Sequence, residues 1–124
     1  MMKSTGNIKV GCIYKITCLV GKQRSYVGMT MRSLEARWRG HCAATRRGSK
    51  VLLHRAIRKF GAGNFSVREI KVSFDWEKLC TSEVYYIRKF DTLYPGGYNL
   101  QTGGRQRLHT DRTKKKIADA RKKY

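Results

Sequence analysis

Apolar residues along this chain change their spacing several times, and each change predicts an element. Val10-Gly11-Cys12-Ile13-Tyr14-Lys15-Ile16-Thr17-Cys18 is rich in β-branched and aromatic residues and predicts a strand. Leu19 to Arg24, with Gly21 inside it, predicts a hairpin connection, and Ser25-Tyr26-Val27-Gly28-Met29 predicts the returning strand. From about Ser33 to Arg47 the period lengthens. Leu34, Trp38, Cys42 and Thr45 recur at helical spacing, and Gly48 stands just past the end. Lys50 to Phe60 predicts a second helix with Leu53, Ile57 and Phe60 on one stripe, closed by Gly61 and Gly63. Phe65 to Phe74, carrying Val67, Ile70 and Val72, predicts a third strand. Asp75 offers an N-cap for a third helix over Trp76 to Phe90. Asp91 to Leu100, which holds the only proline, predicts a turn-rich loop. The order β-β-α-α-β-α predicts an α+β fold: a small antiparallel three-stranded sheet flanked by helices.

The patterning stops after Thr102-Gly103-Gly104. Residues 101–124 hold nine Lys+Arg, two acids and no aromatic before Tyr124, too little to bury a core. The expected organisation is one domain over 8–104 and a basic tail over 105–124, in which Asp111-Arg112-Thr113 can open a short helix.

Charge narrows the partners. The 124 residues carry 28 Lys+Arg against 8 Asp+Glu, a formal net charge of +20. That balance predicts a polyanionic partner, nucleic acid ahead of an anionic membrane surface, because no strongly apolar-faced basic helix stands out. With 40% hydrophobic residues the chain is not basic disorder throughout. No apolar run approaches the ~20 residues that cross a bilayer. Met1 to Asn7 has no apolar block behind it, so no secretory signal is expected. Cys12, Cys18, Cys42 and Cys80 form no Cys-x-x-Cys pair, and His41, His54 and His109 complete no zinc-finger spacing. Small buried hydrophobes in a reducing compartment is the expected role of the cysteines.

Scarcity of acid limits the chemistry. Up to Leu100 there are six carboxylates: Glu35, Glu69, Asp75, Glu77, Glu83 and Asp91. A two-metal nuclease gathers several carboxylates around ions about 3.5–4 Å apart. Any metal chemistry here is expected to use one ion and very few carboxylates.

Five side chains stand out. Arg37 and His41 lie four apart on the first helix, flanking its apolar stripe, so an arginine able to grip phosphate sits beside a proton carrier. Both also suit an ordinary basic surface. Glu83 falls on the stripe of the third helix formed by Trp76, Leu79, Cys80, Ile87 and Phe90, whereas Glu77 lies off it. A carboxylate there needs a cation, either a metal or an arginine, unless it sits at the rim. Tyr14 and Tyr26 stand on the two strands expected to pair. Packing is their usual role, but a phenol acts as a general base where a neighbouring cation and a metal lower its pKa. Gly11 and Gly28, close to them, leave room for a backbone or a phosphate.

Taken together these stretches resemble one family. Gly11-Cys12-Ile13-Tyr14, Tyr26-Val27-Gly28, Arg37-Trp38-Arg39-Gly40-His41, Glu83 in Ser82-Glu83-Val84-Tyr85-Tyr86-Ile87, and Gly97-Tyr98-Asn99-Leu100 follow the order and spacing of the GIY-YIG nuclease domain. Leu53 to Gly61 is similar to the family's linking helix. Cys12 inside the first signature and Val27 in place of isoleucine in the second are departures that preserve strand packing.

The resemblance implies a DNA endonuclease that hydrolyses phosphodiester bonds with one Mg²⁺ (or Mn²⁺) ion. It implies Glu83 as metal ligand, Tyr14 as base or orienter of the attacking water, and Tyr26 and His41 as hydrogen-bonding partners. Arg37 would hold the phosphate and Asn99 would support the site, with Gly28 and Lys50 in supporting positions. Arg39, Arg46, Arg47, Arg105, Arg107, Lys114, Lys115 and Lys116 are the expected DNA contacts. His109 to Ala118 is similar to a short DNA-binding helix motif that follows this domain in phage and intron homing endonucleases, so the tail is expected to begin a DNA-binding module. The implied setting is the cytoplasm of a bacterium or phage-infected cell, with the chain a monomer or a transient dimer on DNA. A homing-type enzyme is the leading expectation. A structure-directed repair or recombination nuclease, or a non-catalytic DNA-binding protein of the same fold, are the alternatives.

Overall fold

A computed structural model describes residues 10–103. In chain order it contains β1 (Gly11–Cys18), β2 (Ser25–Thr30), α1 (Leu34–Arg46), α2 (Leu52–Phe60), a 3₁₀ turn over Ala62–Asn64, β3 (Phe65–Ser73) and α3 (Trp76–Lys89). The sheet order is β2-β1-β3, antiparallel throughout, as expected from the pattern.

Central β1 is buried on both faces, and its two-residue period divides the core. Tyr14, Ile16 and Cys18 pack with Leu53, Ala56 and Ile57 of α2 and with Leu34 and Trp38 of α1. Ile13 packs with Val27 and Met29 of β2 and with Leu79, Cys80 and Ile87 of α3. The sheet is therefore covered by α1 and α2 on one face and by α3 on the other. Between Ile13↔Lys71 and Tyr14↔Glu69 the register with β3 slips by one residue. β3 is an edge strand, and exposed Arg68, Glu69 and Lys71 give it a charged surface that discourages further pairing.

The other edge, β2, is covered by the loop after α3. The Tyr98 amide donates to the Ser25 carbonyl (2.9 Å). The Asn99 side chain pairs with Val27 in both directions: the Val27 amide donates to Oδ1 (2.9 Å), and Nδ2 donates to the Val27 carbonyl (2.9 Å).

Helix starts follow local chemistry. The Ser33 hydroxyl accepts from the Ala36 amide (3.1 Å) and the Asp75 carboxylate from the Lys78 amide (3.1 Å), so both capping residues act at their helix N-termini. Two expectations shift. α2 begins at Leu52 rather than near Lys50, because the Ser49 hydroxyl accepts the Val51 amide (3.3 Å) in a local turn that competes with the helix. On α1 the most buried residues are His41 and Thr45, while Cys42 of the expected stripe is half-buried. His41 faces Tyr14 of β1 and His54 of α2, while Cys42 borders a depression beside Ile57 and Arg58 of α2.

None of the four cysteines forms a disulfide; Cys12, Cys18 and Cys80 are buried, as the small-hydrophobe reading expects, and Cys42 is half-buried. Among the described residues no helix is long and apolar enough to cross a membrane. The basic tail over 105–124 lies outside the described residues.

Candidate active site

Tyr14 sits at the middle of β1, opposite Gly28 of β2, with its side chain only 1% exposed. A Cβ at Gly28 would collide with the Tyr14 hydroxyl and with Cζ (2.5 Å), and would lie 2.9 Å from Cε2 of Tyr26. The room expected at Gly28 for a backbone or phosphate is taken instead by the tyrosine ring. At Gly11 a backbone does approach: a Cβ there would meet the Thr30 carbonyl and Cδ2 of Leu79 (2.9 Å).

The Tyr14 hydroxyl has two partners. Arg37 Nε donates to it (3.2 Å), and it is 2.9 Å from His41 Nε2. Arginine can only donate, so the arrangement that gives the phenol's own proton a partner directs it to His41 Nε2. In that arrangement His41 Nδ1 carries the other proton and donates it to His54 Nε2 at 2.8 Å. By the same logic His54 Nδ1 donates to the Ser49 hydroxyl at 2.7 Å. Tyr26 is half-buried beside this chain, with its ring centroid 6.2 Å from Tyr14 and, edge-on, 5.7 Å from His41.

Electrostatics hold these groups neutral. Burial is the largest influence on Tyr14 and pushes its pKa well above the ordinary value. The neighbouring Tyr26 and the Glu83 charge push the same way, and Arg37 pulls down. The cation expected to lower this pKa is present, but the dry site outweighs it. His41 is lowered to about 3 by burial first, then by Arg37 and His54. His54 is lowered by burial and by Arg37 and Arg58. All three side chains are uncharged at neutral pH.

Glu83 is buried (4% exposed) on α3, as its place on the stripe predicted. It lines a cavity of about 270 Å³ with Tyr26, Val51, Ile87, Tyr98, Asn99, Leu100, Gln101 and Gly103. The chain crosses over the carboxylate at Gly103, which has φ +89°; a Cβ there would stand 3.1 Å from Oε1 of Glu83. Arg37 lines a separate depression of about 490 Å³ with Met29, Thr30, Met31, Arg32 and Trp76.

The donors suit one hard cation. Among the described residues no cluster of three His, Cys, Asp or Glu side chains exists, so those side chains alone do not fill an ion's coordination shell. Mg²⁺ is commonly held by one or two carboxylates while keeping several waters and taking substrate phosphate oxygens. At about 30 Å³ per water, the cavity beside Glu83 has room for a partly hydrated ion.

The structure brings Tyr14, Arg37 and His41 into direct contact, lays Tyr26 against them and sets Glu83 within electrostatic range of Tyr14. Asn99 supports from behind, with both amide atoms on the Val27 backbone next to Tyr26 and Gly28. Lys50 is exposed, and its neighbour Ser49 is the residue that joins the buried chain. Arg39 and Arg46 are exposed on α1 and Arg47 just past its end, where a DNA backbone can reach them. Arg105, Arg107 and Lys114 to Lys116 lie outside the described residues. His54 and Ser49 were not expected at the site. The available signal was the position of His54 beside Leu53 on a helix with a strong apolar face, which predicts burial of an otherwise polar ring.

The class of protein follows from a match across this whole arrangement: the family model of the GIY-YIG catalytic domain spans residues 10–99. The chain belongs to the GIY-YIG family and is a nuclease domain. Two solved structures share its fold. One is the catalytic domain of the intron endonuclease I-TevI carrying a glutamate-to-alanine substitution, with TM-score 0.65 and 22% identity, covering 77% of this chain and 96% of that one. The other is the catalytic domain of the homing endonuclease I-TevI, with TM-score 0.63 and 22% identity, covering 73% and 98%. Comparison with curated protein sequences finds no match.

Proposed function

We propose that this chain is a homing-type DNA endonuclease that hydrolyses phosphodiester bonds with one Mg²⁺ or Mn²⁺ ion. The observation that carries the reading is the pairing of a Tyr14–Arg37–His41 cluster, its tyrosine and histidine buried, with Glu83, the one buried carboxylate among the described residues, which faces a cavity that Tyr26 also lines. Glu83 would hold the ion, which when bound supplies positive charge to the scissile phosphate and to the leaving 3′ oxygen. Arg37 fixes Tyr14 through Nε, which leaves its two terminal nitrogens to grip the phosphate and offset the charge that builds in the transition state. Tyr14 orients the attacking water. As its oxygen takes the water's proton, its own proton moves to His41 Nε2, so a high phenol pKa is no obstacle: no free phenolate is needed. Exposed Lys and Arg hold the DNA backbone, giving affinity that falls with salt. The homing reading draws on the two fold neighbours, catalytic domains of an intron and homing endonuclease, and on the tail motif.

The test is cleavage of supercoiled plasmid carrying a random-sequence library, with Mg²⁺ or with EDTA, by the wild-type chain and by Glu83→Gln. Cleavage that needs Mg²⁺, that Glu83→Gln abolishes without unfolding, and that maps to one defined sequence is expected. Full activity in EDTA or in Glu83→Gln would overturn the metal role. Cutting only at branches or flaps would overturn the homing type, and binding without any cleavage would make the chain a DNA-binding protein.

A further inference from the structure

The hydrogen-bond chain that starts at Tyr14 does not end at His41. It continues through His54 on a different helix to Ser49, and the three links measure 2.9, 2.8 and 2.7 Å. Exposure rises along it: Tyr14 and His41 are 1% and 2% exposed, His54 is 8% exposed and Ser49 is half-buried. Its outer end is clamped. Arg58 Nη2 donates to the Thr45 carbonyl (2.8 Å) and to the Ser49 carbonyl (2.9 Å), tying the loop to the end of α1. The groups facing the two rings are Tyr14 from β1, Tyr26 from β2, Arg37 from α1 and Arg58 from α2. The charged ones are both cations, so neither ring is a place for an extra proton to rest.

We propose that His54 and Ser49 are positioning residues that hold His41 in its accepting tautomer and carry the water's proton out of the site. The inference rests on the nuclease reading above and extends it. In one turnover the water O–H breaks and Tyr14 oxygen gains that proton. The Tyr14 proton passes to His41 Nε2, the His41 Nδ1 proton to His54 Nε2, and the His54 Nδ1 proton to Ser49 Oγ. The hydroxyl proton of Ser49 leaves to solvent. One proton is lost at the water and one appears outside, and both imidazoles stay neutral throughout. After product leaves, Ser49 takes a proton from solvent, the chain runs in reverse, and the proton this displaces from Tyr14 passes to water in the vacated site, which restores both tautomers.

The test uses the full chain, supercoiled plasmid and Mg²⁺. His54→Gln can still accept from His41 but cannot pass a proton on. We expect its kcat to fall ~100-fold, the scale of a lost proton-transfer step, with KM and Tm near wild type. A kcat measured across H₂O–D₂O mixtures should curve for wild type, showing several protons in flight, and become linear in the variant. Wild-type kcat with the curved dependence retained would overturn the proposal. If His54→Gln does not fold, Ser49→Ala carries the same test, with ~10-fold lower kcat expected. Nitrogen-15 NMR of the DNA-free protein gives a readout independent of cleavage: Nδ1–H on both His41 and His54 supports the relay, and Nε2–H on either overturns it. Should the wild-type chain not cleave DNA, the nuclease reading fails while the ring tautomers still decide the hydrogen-bond chain.

Discussion

Replacing Gly28 with alanine puts a methyl group where the Tyr14 phenol now lies. The new carbon would stand 2.5 Å from Cζ of Tyr14, closer still to its hydroxyl, and 2.9 Å from Cε2 of Tyr26. Carbon atoms pack at about 3.5–4.0 Å, so the ring must move by roughly 1 Å. Overpacking a buried site in this way costs about 1–3 kcal/mol. For a domain of this size that lowers Tm by roughly 4–20 °C. The same movement lengthens the bonds from Tyr14 to His41 and Arg37, and a 1 Å misplacement of a reacting group costs ~100-fold in rate. Gly11→Ala is the matched control. It presses on the Thr30 carbonyl and on Leu79, on the face toward α3, and so destabilises without displacing the phenol. Thermal melts and plasmid-cleavage rates, taken where both variants remain folded, separate the two effects. Gly28→Ala should lose far more activity than Gly11→Ala at equal loss of stability. Equal activity in the two variants would refute the idea that Gly28 exists to seat Tyr14.

Three further outcomes are expected. His41 is neutral when folded down to about pH 3, whereas the unfolded chain takes up a proton near 6.5. The unfolded state therefore binds more protons in between, so stability is full above pH 6.5 and falls as pH drops toward 3. His54 acts in the same direction. Urea titrations from pH 7 to 4 should show a slope that flattens in His41→Gln, and an unchanged slope would contradict the assignment. Asn99→Ala strands the Val27 amide and carbonyl, at about 1–3 kcal/mol for each buried group left unpaired, and should lower both Tm and cleavage; an unaltered melt would count against it. Removing residues 105–124, with nine Lys+Arg from residue 105 onward, should flatten the salt dependence of DNA affinity by about 0.9 log units per lost phosphate contact. Equal slopes in binding titrations would mean the tail does not touch DNA.

Much of the fold was legible in the sequence because the relevant causes are local. Strand and helix periods follow backbone geometry, and Ser33 and Asp75 cap their helices through bonds that span three residues. The burial of Glu83 was legible for the same reason, since a position on an apolar stripe is a property of one helix. The motif order placed Tyr14, Tyr26, Arg37, His41 and Asn99 in one family's site, but not how each touches the others.

Those contacts depend on register and on how the helices lie against the sheet. Gly28 serves Tyr14 only because β1 and β2 pair as Tyr14↔Gly28. Asn99 reaches Val27 across 72 residues, and His41 reaches Tyr14 across 27. The largest difference is the buried run through His54 to Ser49, which joins two helices and the turn between them. From the sequence, His54 is one polar residue on an amphipathic helix, and the supporting position falls to Lys50 rather than Ser49. Only packing α1 and α2 together on β1 brings the two imidazoles to 2.8 Å and dries their surroundings, and that desolvation keeps both rings neutral.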